Sequence, residues 1–460
     1  MIIKKWRNYM STQKEVFGYL PDERPPVIEL IFFALQQIVV MFPATVLVAL
    51  ITGFHVSTTI FASGLSTLGF ILITGRKIPL YYGSSFSYIA AIASIMGAEA
   101  FAGYSLNDKI SIAQFGIIMS GSVSIIAGFI IQRSGKDKID KVLPPTVTGS
   151  IAIIIGLSLA ANAMTNAAAF PQTVLENQVD LAQGMAWIIA IVTLISTILY
   201  SVYLRGKLSQ LPILFGLLTG YVAALIIGAT TDIQFVTFNT IQSSSIINMP
   251  IFTFPKPTLA AVIAIMPIAI ATIPESTAHV YQLHIYVNDL AKKKGVKKIY
   301  DIDSKLGLNL VGDGIGDIIS GFIGGPAGTN YGENISAMAI SKNFSVYVLM
   351  LAAVLTMIIS CFTPLINIIY SIPTSVIGGL SIYLFGVIAA QGITIMMDRK
   401  VDMFNSKNLA VIAVILIVGL GGSFGFEGGM IPMFGIQLPA IATAAIVGIA
   451  LNLMLLIGEK

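Results

Sequence analysis

Few side chains in this sequence can do chemistry, and those few lie inside otherwise apolar runs. Glu275 and His279 sit in ATIPESTAHVYQLH, four residues apart, so a helix puts both on one face. Pro274, just before the glutamate, can loosen that helix and free carbonyls toward a cavity. Asp313 and Asp317 sit in GDGIGD, and Glu333 sits in GGPAGTNYGENISAMAISK, residues 324–342. The last stretch opens with glycines and a proline, turns polar and then becomes a helical run. An acid at the centre of a membrane helix costs about 2.5–3.5 kcal/mol, so such acids are paired or line a polar cavity. Glu275 and Glu333 are therefore read as functional. His279 is weighed equally between function and a satisfied core residue, and Asp313 between function and a link between helices. Asp317 is expected nearer the membrane surface in a structural role, with His55 and His284 solvated toward helix ends.

The site these residues could build has donors, acceptors and a flat face. An interrupted helix frees its first amides, and those near Phe86 and Gly332–Glu333 can point inward. Gly83 and Gly332 let backbone approach a ligand closely. Carboxyls accept hydrogen bonds when ionised and donate one when protonated, so the buried acids are also candidate proton carriers. Phe86, Tyr88 and Tyr331 can form an aromatic wall. The set suits a planar heterocycle with alternating N–H and C=O groups, and suits an inorganic anion less, because two carboxylates repel it. An intramembrane metal held by Glu275, His279 and Asp313 is a distant alternative. It lacks His-Glu-x-x-His or a second histidine at ligand spacing. No ring-forming selectivity sequence points to a channel.

The elements that must hold these residues are membrane helices. Of 460 residues 56% are hydrophobic and 10% charged, with mean hydropathy +0.87, against about 25% charged in a soluble domain. Fourteen apolar segments are expected, at 27–53, 55–75, 80–97, 111–132, 144–166, 183–203, 208–228, 257–287, 303–323, 324–341, 344–369, 373–397, 407–423 and 438–458. The fold class is all-α and polytopic, with spans three and ten short and broken, each a brief extended piece and a half-helix. Residues 1–26 are a basic lead-in without a cleavable signal. If the N-terminus lies inside, 24 of the 26 Lys and Arg fall in inside segments, from Lys4, Lys5, Arg7 and Lys14 through Lys136 and Lys138 to Lys460. Only Lys109 and Lys256 fall outside. Both termini are then cytoplasmic, and the loops 167–182 and 229–256 are external. The net charge of +4 and the run KKKGVKK at 292–298 are topology signals rather than a nucleic-acid footprint. The lone Cys361 is read as a small buried hydrophobe.

A repeat is visible. Tyr82-Gly83-Ser84-Ser85-Phe86-Ser87 echoes Tyr331-Gly332-Glu333-Asn334-Ile335-Ser336, and Pro144-Pro145-Thr146-Val147-Thr148-Gly149 echoes Pro373-Thr374-Ser375-Val376-Ile377-Gly378. A shift of seven spans relates both. Seven is odd, so the second half crosses in the opposite sense, as in secondary transporters whose site lies where the halves meet.

At GGPAGTNYGENISAMAIS (324–341), ATIPESTAH (271–279), GDGIGDIISGFIGG (312–325) and YYGSSFSYIA (81–90) the chain resembles the nucleobase/ascorbate transporter family, within it the uracil branch. The resemblance runs from LQQIVVMFPATVLV at 35–48 to the end. It implies a core domain of spans one to four and eight to eleven (27–132 and 257–369). It also implies a gate domain of spans five to seven and twelve to fourteen (144–228 and 373–460). A homodimer in the cytoplasmic membrane, importing uracil with protons as the core moves against the gate, follows from it. Sodium in place of protons stays open, and no cofactor is implied. By the resemblance Glu275 and Glu333 hold the base, backbone at Phe86 and Gly332 meets its carbonyls, and His279 and Tyr331 lie nearby. Glu333, Glu275, His279 and Asp313 are the proton-coupling candidates. A purine-base permease on the same scaffold is the nearest alternative, although the acid at Glu333 resembles the uracil branch and purine-transporting relatives more often carry an amide there. The chain departs from the family at Gln36-Gln37 (often Gln-His), at Glu275-Ser276-Thr277-Ala278-His279 (Glu-His-x-Gly-His), at Ser336 (glycine) and at Ser341-Lys342 (threonine and arginine).

Overall fold

The computed structural model describes residues 18–134, 141–238, 245–433 and 435–457; of Glu99, Lys207, Gln210 and Ile436 it describes the main chain alone. Lys4, Lys5, Arg7, Lys14, Lys136, Lys138 and Lys460 lie outside the described residues. The helices are α1 (Val27–Thr52), α2 (Val56–Ile73), α3 (Ile89–Gly97), α4 (Leu106–Ser134), α5 (Pro145–Ser158), α6 (Ala160–Ala167), α7 (Val179–Tyr203), α8 (Pro212–Thr231) and α9 (Leu259–Ile265). They continue as α10 (Ile268–Lys293), α11 (Leu306–Ile323), α12 (Gly332–Ser341), α13 (Val346–Ile359), α14 (Thr363–Tyr370), α15 (Thr374–Asp398), α16 (Ser406–Gly425) and α17 (Ala440–Ile457). Each of the fourteen expected apolar segments contains helix. Among the described residues ten helical stretches are long and apolar enough to cross a bilayer, and Phe86–Gly97, Val346–Ile359 and Ala440–Leu456 are shorter apolar ones.

Three segments read as single spans are broken. The fifth is divided between α5 and α6, and the eleventh between α13 and α14, where Pro364 sits in the first turn of the new helix. The eighth breaks at Met266-Pro267, whereas Pro274 stays inside the continuous α10. A proline there cannot supply the helical bond to the carbonyl of Ile270.

The fold is not purely helical. Strand β1 (Tyr82–Ser84) pairs antiparallel with β2 (Gly328–Asn330), Gly83 opposite Thr329. Gly324 (φ 102) caps α11 in the left-handed region, which turns the chain into β2. A second pair, β3 (Met430–Met433) with β4 (Ile436–Pro439), was not expected; it forms a hairpin between α16 and α17. The β1–β2 register also corrects the first sequence echo. Antiparallel pairing about Gly83 and Thr329 makes Tyr82 equivalent to Gly328, Phe86 to Gly332 and Ser87 to Glu333, three residues off the Tyr-Gly match. The second echo does align, because Pro144 and Pro373 are both N-caps, of α5 and α15.

Packing repeats with the seven-segment shift. α11 lies on α4 as α13 lies on α2, α7 pairs with α8 as α16 pairs with α17, and α15 packs on α7 as α5 packs on α16. Each half thus contributes to both of two helix groups. One gathers α1–α4 and α9–α14, the other α5–α8 and α15–α17. Within the first group backbones touch: a Cβ on Gly121 would stand 2.5 Å from the Gly314 carbonyl oxygen, and one on Gly128 2.5 Å from that of Gly307. Large apolar side chains such as Ile126, Val202, Ile226 and Ile417 face outward, at 58%, 67%, 58% and 74% exposure. That is the surface a lipid environment covers.

Residues 18–26 form a strap against the first group. Tyr19 N–H donates to the Lys342 carbonyl and Phe344 N–H to that of Tyr19, each at 2.8 Å, and Ser345 Oγ donates to the Glu23 carbonyl at 2.6 Å. Lys294 Nζ binds Glu23 at 2.6 Å, and Lys298 Nζ and the Tyr300 hydroxyl bind Asp22 at 2.6 and 2.5 Å. Burial alone would raise the Asp22 carboxyl; the bonds from Lys298 and Tyr300 outweigh it and hold the pKa below the usual carboxylate range. The two cations expected outside are both engaged. Lys256 pairs with Asp108, and Lys109 Nζ donates to the Met96 carbonyl at the end of α3, at 3.1 Å.

Candidate substrate site

The β1–β2 crossing brings the starts of the two broken segments together. Tyr331 N–H donates to the Tyr81 carbonyl and Ser85 N–H to that of Ala327, each at 2.9 Å. Polar side chains from neighbouring helices satisfy the rest, as buried backbone requires. Ser63 and Thr67 of α2 donate to the Tyr82 carbonyl at 2.8 and 3.0 Å, and Asp317 Oδ1 accepts from Gly328 N–H at 2.8 Å and from the Tyr82 hydroxyl at 2.5 Å. Asp317 is 2% exposed and anchors the crossing, which is the structural role expected of it.

Against this crossing lies α10. Glu275 is half-buried, and its Oε2 accepts from Ser87 Oγ of the first broken segment at 3.3 Å. One turn on, His279 reaches the second broken segment: its Nε2 lies 3.0 Å from where a Cβ on Gly332 would stand. His279 Nδ1 is buried without a hydrogen-bond partner. Glu333 follows Gly332 in the first turn of α12, half-buried, where α12 packs on α10. The N-cap of α12, Tyr331, offers no side-chain acceptor to the first-turn amides. Glu275, His279, Gly332, Glu333 and the Phe86–Ser87 turn thus form one cluster. Two carboxyls beside an uncapped helix start make a place where a neutral ligand with both donors and acceptors relieves repulsion and satisfies amides together.

Asp313 stands behind the cluster. Its Oδ2 accepts from Ser276 Oγ at 2.7 Å and Asn309 Nδ2 at 3.1 Å, and its Oδ1 from Asn330 Nδ2 at 2.6 Å. It therefore ties α10, at the residue after Glu275, to β2. It does not converge with Glu275 and His279 as a ligand set, and among the described residues no three His, Cys, Asp or Glu side chains do.

The aromatic wall is narrower than expected. The Tyr331 ring packs over Gly83, its hydroxyl lies 2.9 Å from Thr45 Oγ1 and donates to the Ser84 carbonyl at 3.0 Å, and the residue is 3% exposed. Tyr88 is fully buried with its hydroxyl 2.7 Å from Ser120 Oγ. Both rings support the crossing, because each phenol finds its partner inside the scaffold. Phe86 alone stays partly exposed, edge-on to Phe385 of α15 with ring centroids 6.1 Å apart. Away from the cluster, His55 Nε2 lies 2.6 Å from Asn107 Oδ1 and His284 Nδ1 3.1 Å from Asp303 Oδ1, both at partly exposed positions.

Three residues with a part here escaped the sequence reading. Ser87 carried a signal, a hydroxyl in the GSSFSY turn. Gln37 accepts from Asn334 Nδ2 on its carbonyl and its Oε1 at 3.0 and 2.8 Å. Phe385 had no signal, being one apolar residue in an apolar helix. Along α3 opens a cavity of about 890 Å³, walled by Ala90 and Ser94 of α3, Ile268 of α10, Asn162 of α6, Ser423 of α16 and Glu427.

Known proteins share this architecture and sequence. A family model described as Permease family (Xan_ur_permease) matches residues 28–428. The uracil permease of Bacillus caldolyticus is 36% identical over 441 residues, covering 94% of each chain. The putative pyrimidine permease RutG of Escherichia coli (strain K12) is 34% identical over 97% of this chain and 93% of its own, and the uracil permease of that strain is 34% identical over 94% and 92%. Among solved structures, the transmembrane domain of the cyanobacterial bicarbonate transporter BicA superposes with TM-score 0.62 at 15% identity, over 94% of this chain and 98% of that one. SLC26A9 does so with TM-score 0.64 at 14% identity, this chain spanning 66% of its length. These last two share the fold alone. With its apolar helices and this match the chain is an integral membrane protein, and it belongs to the Permease family.

Proposed function

We propose that this chain is a proton-coupled transporter that imports uracil across the cytoplasmic membrane. One observation carries the reading: Glu275, bonded to Ser87 of the first broken segment, and Glu333, in the uncapped first turn of the second, stand on helices α10 and α12 that pack together beside the crossing. Uracil offers two ring N–H groups and two carbonyls in one plane. In this reading Glu275 and Glu333 accept from the N–H groups, the amides at Phe86 and Gly332 donate to the carbonyls, and the ring lies against Phe86. Tyr331 contributes its backbone, as the residue from which the half-helix starts. The uracil permeases among the relatives support this substrate.

Proton coupling falls to Glu333, Glu275, His279 and Asp313, the last bonded to Ser276, the residue after Glu275. A carboxyl that takes a proton loses its charge and one acceptor lone pair together, so proton and ligand occupancy are linked. The two helix groups are the core (27–132 and 257–369) and the gate (144–228 and 373–460), which rock against each other. The chain crosses the bilayer fourteen times with both ends in the cytoplasm and functions as a homodimer.

The test is uptake of radiolabelled uracil into proteoliposomes under an imposed pH gradient without sodium, with xanthine, urate and guanine as competitors. Uptake driven by the gradient and resisted by all three purines is the expected result. Competition by a purine transfers the substrate to the purine branch, and uptake only with sodium transfers the coupling ion. A nucleobase panel in a thermal-unfolding assay gives binding separately, since a ligand of the native state raises its stability.

A further inference from the structure

Residues 246–256 belong to no helix. They run as an irregular ribbon across one end of the first helix group, from the α13–α14 break past α2 to the start of α4. One face of the ribbon is fastened to the helices. Thr363 N–H donates to the Ile246 carbonyl at 3.0 Å and Asn248 N–H to that of Cys361 at 2.9 Å. Thr58 Oγ1 of α2 donates to the Ile251 carbonyl at 2.6 Å. Gln114 of α4 is fully buried: its Nε2 donates to the carbonyls of Thr253 and Gly321 at 2.8 and 2.7 Å, and its Oε1 accepts from Thr253 Oγ1 at 2.7 Å. Lys256 N–H then donates to the Ser111 carbonyl at 2.8 Å. Pro250 and Pro255 bring no amide hydrogen that needs a partner.

With that face held, the side chains between the anchors point away from the protein. Ile246, Ile247, Met249, Ile251, Phe252 and Phe254 are 37–71% exposed. Single exposed apolar residues are ordinary, but six among the nine residues 246–254, outside any helix, form a patch that calls for a partner. The patch is continuous with the outward surface of the membrane helices. Phe254 stands edge-on to Phe322 of α11 with centroids 6.2 Å apart, and Phe252 edge-on to Phe61 of α2 at 5.3 Å. Ile247 bridges to Phe362, and Phe322 and Phe362 are themselves exposed. The far end of the ribbon is polar: Lys256 pairs with Asp108, close in sequence to the exposed Tyr104. An ion pair, an amphipathic ring and then an apolar run follow the order of a bilayer from its water side inward.

We propose that the 246–254 ribbon is a lipid-binding surface that lies flat in the boundary between phospholipid headgroups and acyl chains, with Ile247, Met249, Phe252 and Phe254 in lipid and the Lys256–Asp108 pair at the water side. Irregular backbone next to lipid is tolerated when protein satisfies its polar groups, and the bonds to α2, α4 and the α13–α14 break supply partners along the ribbon. With both termini in the cytoplasm this is the outer leaflet, so that part of the 229–256 loop is a membrane-interface element rather than a solvated connection. The proposal needs only that the chain spans a bilayer, and it holds whatever solute the chain carries.

The experiment uses the full chain in phosphatidylcholine proteoliposomes. Trp6→Phe and Trp187→Phe remove both native tryptophans, and Phe254→Trp or Met249→Trp is added, one at a time. Both positions point outward, so neither ring has packing to disturb, and a thermal-unfolding midpoint in detergent checks each variant. Tryptophan fluorescence is quenched in turn by a lipid with its nitroxide near the headgroup, by one with its nitroxide at the chain end, and by aqueous acrylamide. For a ring about 5–10 Å into the boundary, the shallow nitroxide is expected to quench about twofold more than the deep one. Acrylamide is expected to quench severalfold less than it does free N-acetyltryptophanamide. Full quenching by acrylamide with no nitroxide effect overturns the proposal, because the ribbon then faces water. Indifference to all three quenchers overturns it too, because protein, such as a second copy of the chain, then covers the patch. Stronger quenching by the deep nitroxide overturns the interfacial placement. None of these readings depends on uracil uptake, so failure of the substrate assignment and failure of the lipid surface are told apart.

Discussion

The two broken segments share a scaffold and divide the chemistry. The β1–β2 register makes Phe86 equivalent to Gly332 and Ser87 to Glu333. In the first segment a ring and a hydroxyl occupy those places; the ring meets Phe385 across the boundary between helix groups, and the hydroxyl serves Glu275. In the second, the missing side chain makes room for His279, and the next residue is itself an acid. The helix starts differ in the same direction. Ser85 Oγ accepts from Ser87 N–H in the first, while Tyr331 caps nothing with its side chain in the second. Symmetry thus supplies a crossing with two helix starts, and the departures from symmetry decide which start can grip a polar ligand.

The largest expected effect strikes what the segments share. Asp317→Ala leaves the Tyr82 hydroxyl and Gly328 N–H buried and unpaired, at about 1–3 kcal/mol each. Thermal unfolding in detergent should fall markedly for this variant; an unchanged midpoint would mean that the crossing is held elsewhere. Next comes the asymmetric pair. Glu333→Gln should weaken uracil binding about tenfold to a hundredfold, on the about 1.5–3 kcal/mol of a hydrogen bond to a charged group, with unfolding in the absence of ligand little changed. Ser87→Ala, at the equivalent place, should cost less than about tenfold, because its bond to Glu275 is 3.3 Å long. Equal losses from the two substitutions would erase the comparison. Gly332→Ala should preserve the fold yet reduce binding severalfold by crowding His279, whereas Gly328→Ala overlaps the Tyr82 ring and should impair folding instead. The smallest effect is expected at Lys109→Ala, which removes a cation from the C-terminus of α3 and should cost about 0.3–1 kcal/mol in unfolding.

What was legible in the sequence follows the same division. Apolar length and the glycine-proline start of 324–342 announced the helices and the second break, because a bilayer demands the first and tolerates the second only in a protein cavity. Glu275 and Glu333 stood out because charge at depth is costly. The destinations of Tyr331 and Tyr88 were not legible. A tyrosine reads alike whether its hydroxyl turns to a ligand or to Thr45 and Ser120, and only the crossing of the strands decides. The Tyr-Gly echo misled by three residues for a related reason: it matched residue types, while equivalence is set by backbone pairing. The β3–β4 hairpin hid because MIPM and IQLP form no more than two four-residue strands, too short for a period to show.

The strap at residues 18–26 has a consequence for biogenesis. Ser345 lies 322 residues after Glu23, and the Tyr331 hydroxyl closes on a carbonyl 247 residues before it. On the ribosome the earliest part of this chain therefore emerges long before its partners do. The first broken segment must be inserted and kept from misassembly while some two hundred residues follow it. A nascent product stopped short of residue 330 would carry helices but no cradle, and quality control would meet it as a protein with its central strand unpaired.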